Sequence, residues 1–122
     1  MQDYRVRFLK DLLEAYSPSG LEDRLAELLG QRMASLGFRV ERDQAGNVIG
    51  EAGEHGPRIL LCGHMDTVPG EIPVRIEGGL ICGRGAVDAK SALAAMLLGS
   101  DLAIKRATAP FRVTVVGAVE EE

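Results

Sequence analysis

Tryptophan is absent, aromatic residues make up only 4% of the chain, and cysteine and histidine occur just twice each. Cys62 and Cys82 each close a strand-like apolar run without a CxxC neighbour, which argues against both a disulfide-stapled scaffold and a cysteine-rich zinc module. Because free cysteine behaves as a small hydrophobe, Cys62 is expected as a buried strand residue and not as a Cys-x-His metal partner of His64. No Lys/Arg cluster occurs and formal net charge is -4, so the electrostatic footprint of a nucleic-acid binder is missing, as is attraction to acidic lipid. The longest apolar stretch, Ala92 to Leu98, is far too short for a bilayer span. Met1 to Lys10 intersperses Asp3, Arg5, Arg7 and Lys10 among apolar positions, which is no signal-peptide pattern. The expectations are a cytoplasmic location, no membrane and no nucleic acid.

What is present is the balance of an ordinary globular domain, 46% hydrophobic and 26% charged over 122 residues, enough for one domain. Val6, Leu9, Leu12, Leu13 and Tyr16 follow amphipathic helical spacing, and Ser17-Pro18-Ser19-Gly20 punctuates the end. Ser19 and Glu22 have capping-box spacing before a second helical stripe, Leu21, Leu25, Leu28, Leu29 and Leu36, which Gly37 ends. Phe38 to Arg42 and Val48-Ile49 flank a turn and predict an antiparallel pair. The continuous apolar run in Arg58 to Cys62 predicts a central strand covered on both faces. Gly78-Gly79 between Val74 to Glu77 and Leu80 to Cys82 predicts a two-residue hairpin. Ser91 to Ile104 then has helical spacing, and Phe111 to Val119 is a valine-rich strand. The expected fold class is α/β, with three layers around a mixed, largely parallel central sheet.

Strand, helix, strand is the order of a parallel crossover, so the carboxyl ends of Arg58 to Cys62 and Phe111 to Val119 should share one sheet edge. Open α/β sheets bind ligands there, and those ends are followed at once by His64, Asp66 and Glu120-Glu121-Glu122. Asp66 is a candidate to take the other ring proton of a metal-ligating His64; the plain alternative is a histidine hydrogen-bonded in a turn. Asp88 lies in Gly83-Arg84-Gly85-Ala86-Val87-Asp88, between a strand and a helix, where its two oxygens could bridge two metals or simply cap the helix. Glutamates packed together repel unless a cation joins them, and adjacent ones could divide metal binding from proton transfer; a solvated acidic chain end is the alternative. Gly83-x-Gly85 also resembles the start of a dinucleotide fingerprint, but Asp88 occupies the third glycine position and would repel a pyrophosphate.

Gly63-His64-Met65-Asp66-Thr67-Val68-Pro69, Gly83 to Lys90 and Val119-Glu120-Glu121-Glu122, in that order, resemble the di-zinc metallopeptidase family of acetylornithine deacetylase, succinyl-diaminopimelate desuccinylase and carboxypeptidase G. The resemblance implies that His64 binds one metal, Asp88 bridges both, Glu122 binds the other, Glu121 is the general base and Asp66 orients His64. It implies two zinc ions, with cobalt possible, a cis Asp88-Ala89 bond, and the N-terminal part of a catalytic domain whose lid or dimerisation domain and C-terminal part lie outside residues 1–122. A homodimeric full-length enzyme and an inactive isolated fragment are implied too. Pro69 to Val74, Glu77-Gly78-Gly79 and the final acidic run look most like the subfamily that releases lysine or ornithine from an amino-group carrier protein or a small N-acyl amino acid. Ser91 and Glu120 depart from the glycine and aspartate usual at those places. The alternatives are another deacylase or carboxypeptidase of the family, or a metal-free α/β interaction module. Zinc takes three or four protein ligands, and these residues offer each ion two, while His55 lies at the opposite end of its strand. The family resemblance implies a later carboxylate and a C-terminal histidine.

Overall fold

The computed structural model describes residues 3–122. Asp3 opens the first helix, its carboxylate accepting the Arg5 amide at 2.8 Å and so satisfying one of the unpaired N–H groups of a helix start. This helix, α1 (Tyr4–Glu14), buries Phe8, Leu12 and Leu13. The predicted stripe ran through Val6, which is exposed; Leu12 and Leu13 are buried as predicted and Leu9 packs beside them, while Phe8 and Ala15 complete the inner row.

Helix α2 (Asp23–Ser35) buries Leu25, Ala26, Leu29 and Met33 and ends at Leu36, followed by Gly37 in the left-handed conformation (φ 93°) that terminates helices without a Cβ penalty. Its start corrects the predicted capping box. The cap residue is Glu22, no side chain caps the helix, and the Ser19 hydroxyl donates instead to Asp66. The reason lies in the preceding loop, where Ser19 N–H donates to Thr67 O and Thr67 N–H to Ser17 O, so that Ser17–Ser19 runs alongside Thr67 as a short parallel bridge and Ser19 stays outside the helix.

Strands β1 (Arg39–Arg42) and β2 (Val48–Ala52) form the expected antiparallel pair. Strand β3 spans Arg58–His64, while β4 (Arg75–Glu77) and β5 (Leu80–Cys82) make a separate hairpin. Gly78 and Gly79 have φ 58° and 78°, the positive pair that a two-residue turn demands. Helix α3 (Lys90–Arg106) buries Leu93, Ala94 and Leu97, and leads to β6 (Arg112–Ala118).

The main sheet has the order β1-β2-β6-β3. Strands β3 and β6 are parallel, joined by the expected crossover, and pair in register from Arg58 with Arg112 to His64 with Ala118. Two of the three pairings, β1 with β2 and β2 with β6, are antiparallel, so the sheet is mixed as expected but its balance is antiparallel in the described residues. Val48, Gly50 and Ala52 share one face with Val113, Val115 and Gly117 and with Leu61 and Gly63. Both α2 and α3 cover that face: Met33 lies over Gly50, Leu29 over Gly117, and Met96 with Leu93 over Gly63.

The described residues therefore build two of the three expected layers. The second sheet face is open, with Leu60 63% exposed and Cys62 exposed, which corrects the expectation of a buried Cys62. Strand β3 is likewise an edge strand and not a central one. Its apolar run has the composition of a strand covered on both faces, and these residues supply cover on one. Among the described residues no helix is long and apolar enough to cross a membrane.

Gly117 is where this packing is tightest. A Cβ there would meet Leu29 Cδ2 at 2.7 Å and Met65 Cγ at 3.0 Å, both core side chains with no exposure. Gly117→Ala is therefore expected to destabilise the protein by about 1 to 3 kcal/mol through overpacking. The midpoint of urea unfolding measures this, and an unchanged midpoint would show that the two helices and the Met65 loop have slack.

Candidate metal centre

The parallel pairing of β3 and β6 brings His64 and the Glu120 to Glu122 segment to one rim. His64 is the last residue of β3, and the ladder continues one step beyond it through Met65 N–H to Ala118 O at 2.7 Å. Met65 is fully buried and anchors the loop, Asp66 is fully buried behind it, and Glu120 to Glu122 leave β6 alongside. Asp88 arrives from the loop between β5 and α3. The cis Asp88-Ala89 bond is present as expected, and the helix cap is Ala89, so Asp88 points away from a capping role.

His64 Nε2 lies 2.9 Å from Asp88 Oδ1 and 3.5 Å from Glu121 Oε2. One ligand atom each from His64, Asp88 and Glu122 lie within 4.8 Å of one another. All five residues selected from the sequence thus stand at one site. His55 does not: it belongs to the loop at the opposite end of the sheet, with Gly53 and Pro110.

The tautomer of His64 follows from its other nitrogen. Nδ1 is 2.8 Å from the backbone carbonyl of Asp66, which can only accept, so Nδ1 carries a proton and the neutral ring turns the Nε2 lone pair toward Asp88 and Glu121. Lone pairs of nitrogen and carboxylates facing each other need a shared proton or a cation, and that donor set fits a divalent metal. Protonation responds accordingly. Burial alone would lower the His64 pKa, but the Asp88 hydrogen bond, the Asp66 carbonyl and the Glu121 and Asp88 charges outweigh it and hold it above the usual histidine value. Glu122 is raised above the ordinary carboxylate range, through desolvation and then through sharing a hydrogen bond and charge repulsion with Asp88, with Glu121 adding to it. Carboxylates that hinder one another's ionisation are relieved by a cation.

Asp66 has a different geometry from the one its spacing suggested. Its carboxylate Oδ1 is 3.4 Å from His64 Nδ1, while the shorter contact to the ring comes from its backbone oxygen. The carboxylate accepts from Glu121 N–H at 3.0 Å, Glu122 N–H at 2.9 Å and Ser19 Oγ at 2.6 Å. Burial would raise the Asp66 pKa, yet the Ser19 hydroxyl and the two amides together pull it below the ordinary value.

Sequence reasoning passed over three supports. Ser17 Oγ donates to Met65 O at 2.8 Å, in a segment read only as a helix stop. Glu22 is buried and accepts the Glu120 amide at 2.8 Å. Lys90 is 1% exposed and donates to Leu12 O and Ala15 O at 2.9 and 2.8 Å, tying the end of α1 to the start of α3 behind Asp88; burial lowers its pKa to about 8. A lysine at the head of an apolar helical stripe was the available signal. The glycine loop serves this packing as well: a Cβ at Gly85, whose φ is 90°, would meet the Lys90 stem and the Thr67 side chain at 3.1 Å. Since β5 belongs to the separate hairpin and not to the parallel pair, the strand–loop–helix unit of a dinucleotide fingerprint is not formed.

A family model described as Peptidase family M20/M25/M40 matches residues 60–122. A protein of Pyrococcus abyssi, named within the LysW-lysine/LysW-ornithine hydrolase group, is 50% identical over 96 residues, covering 79% of this chain and 28% of that protein. The LysW-lysine hydrolase of Deinococcus radiodurans is 43% identical over 107 residues, 87% of this chain and 30% of that one. The chain thus spans less than a third of the length of these relatives. The fold superposes on the M20 family metallo-carboxypeptidase Sso-CP2 of Sulfolobus solfataricus with a TM-score of 0.82 at 23% identity, covering 98% of this chain and 31% of that structure.

Proposed function

Because this chain belongs to peptidase family M20/M25/M40, we propose that it forms the metal-binding part of an amide hydrolase that releases lysine or ornithine from an amino-group carrier protein or a small N-acyl conjugate. The observation that carries the reading is the convergence of His64, Asp88, Glu121 and Glu122 at the rim where β3 and β6 end together. The names of the relatives support the substrate class.

In this reading His64 and Asp88 hold one ion, Asp88 and Glu122 hold the other, and the remaining donors lie elsewhere in a longer protein. Paired zinc ions, or cobalt in their place, supply when bound the positive charge that acidifies water and polarises a carbonyl. Glu121 removes the proton from the attacking water and delivers it to the departing amine. Its side chain is exposed, while its amide is anchored on Asp66, so it can reach substrate without losing its place. Asp66 fixes the His64 ring through its carbonyl and the glutamates through its carboxylate. The domain this chain helps to form is the catalytic one, in a cytoplasmic homodimer whose lid lies outside residues 1–122.

The test uses the full-length protein, stripped of metal and reloaded with zinc or cobalt. It is offered Nα-acetyl-lysine, Nα-acetyl-ornithine, N-succinyl-diaminopimelate and lysine coupled to the carrier protein. Metal-dependent release of lysine or ornithine, fastest from the carrier conjugate, is the expected result. Preference for the succinylated or acetylated probe would reassign the substrate, and no release from any probe by the loaded protein would leave a non-catalytic module.

A further inference from the structure

Beyond Ala118 the β6 ladder ends, yet the next four backbone amides are all captured, each by a side-chain oxygen. Val119 N–H donates to Asn47 Oδ1 at 2.9 Å, Glu120 N–H to Glu22 Oε2 at 2.8 Å, and those of Glu121 and Glu122 to the two oxygens of Asp66 at 3.0 and 2.9 Å. Consecutive amides of a segment leaving a strand ordinarily bond to water. Here the acceptors come from three separate places in the chain. Glu120 in addition has φ 54°, a left-handed conformation uncommon for a residue with a Cβ, which persists only where its surroundings hold it. That bend turns the chain so that Glu121 and Glu122 both face His64 and Asp88.

From this arrangement we infer that Glu22 is a positioning residue for the acidic segment, acting through the Glu120 amide, with Ser19 supporting it through the Asp66 carboxylate. The inference rests on the proposed roles of Glu121 and Glu122. Glu22 is 5% exposed, and its Oε2 meets the bent residue itself. Ser19 Oγ, 2.6 Å from Asp66 Oδ2, fixes the carboxylate that holds the following two amides. Both belong to the loop and first turn before α2, and that loop is itself fastened to the His64 side by Ser17 Oγ to Met65 O and by the paired backbone of Ser19 and Thr67. One short segment therefore touches both halves of the site and sets their spacing. What Glu22 must supply is an acceptor oxygen, not a charge.

In the metal-free full-length protein, Glu22→Met is expected to speed hydrogen exchange at the Glu120 to Glu122 amides about tenfold or more, with Val113 and Val115 unchanged. In the zinc-loaded protein the same variant should lower kcat on Nα-acetyl-lysine or the carrier conjugate by on the order of 10- to 100-fold with KM nearly constant, as misplacement of a reacting group does. Glu22→Gln, which keeps an acceptor, should restore both to near the parent values. Ser19→Ala and Ser19→Thr form an independent pair: loss of the hydroxyl should loosen Glu121 and Glu122, and threonine should restore them. Unchanged exchange in both Glu22→Met and Ser19→Ala would overturn the inference, as would Gln failing as badly as Met. Were the parent protein to hydrolyse none of the probes, the enzymatic reading would fall, and the exchange measurements would still decide the positioning.

Discussion

Glu121→Gln is expected to leave the metal content of the full-length protein unchanged while turnover falls by on the order of 10² to 10⁴. The substitution conserves size and keeps an oxygen, and the Glu121 amide that donates to Asp66 at 3.0 Å is untouched, so the segment carrying Glu122 should stay in place. What disappears, on the proposed mechanism, is the capacity to accept a proton from water and return it to the amine. Glu121 is not among the three residues whose ligand atoms cluster for a metal, although its Oε2 approaches His64 Nε2 to 3.5 Å. That difference makes the separation of loading from turnover a sharp test. Elemental analysis alongside steady-state kinetics reads both; retained turnover with full metal would remove Glu121 from proton transfer, and lost metal would make it a ligand.

Asp88→Asn should have the opposite signature. Asp88 Oδ1 is 2.9 Å from His64 Nε2, and after desolvation its hydrogen bond and charge are what raise Glu122 most, so it stands between the two proposed half-sites. Removing an outer partner of a metal ligand already costs 10- to 100-fold in affinity, so removing a shared ligand should cost more than about 100-fold. Both ions should be lost together on gel filtration in metal-free buffer, and turnover should fall to background. Loss of a single ion, with the other retained, would show that Asp88 serves only one.

The parts of this structure that were legible in the sequence are those set by period and chain order. The apolar run at Ile59 to Cys62 and the valine-rich run at Phe111 to Val119, with a helical stripe between them, dictated a parallel crossover, and that alone placed His64 and the glutamates on one rim. Gly78-Gly79 and Gly37 were equally plain, because their conformations are ones that other residues avoid. What stayed hidden depended on partners distant in the chain. Ser19 and Glu22 have the spacing of a local cap, yet each bonds to a residue far along the chain, Asp66 and Glu120, and a spacing rule cannot distinguish the two uses. Asp66 was placed beside His64 correctly, but its carboxylate serves mainly the Glu121 and Glu122 amides because the shorter bond to the ring comes from its carbonyl. Lys90 was passed over because the acceptors of its buried ammonium, the carbonyls of Leu12 and Ala15 at the end of α1, lie far back in the chain. The run Ile59 to Cys62 reported how a strand is built to be covered, not how much cover residues 3–122 provide.

The most direct measurement is anomalous scattering from crystals of the zinc-loaded full-length protein, recorded on either side of the zinc absorption edge. Two peaks flanking the Asp88 carboxylate, one about 2.0 to 2.1 Å from His64 Nε2 and the other about 2.0 to 2.2 Å from a Glu122 oxygen, are the expected result. Zinc bound elsewhere, or a single ion that touches neither His64 nor Glu122, would contradict the assignment of this rim as the catalytic centre.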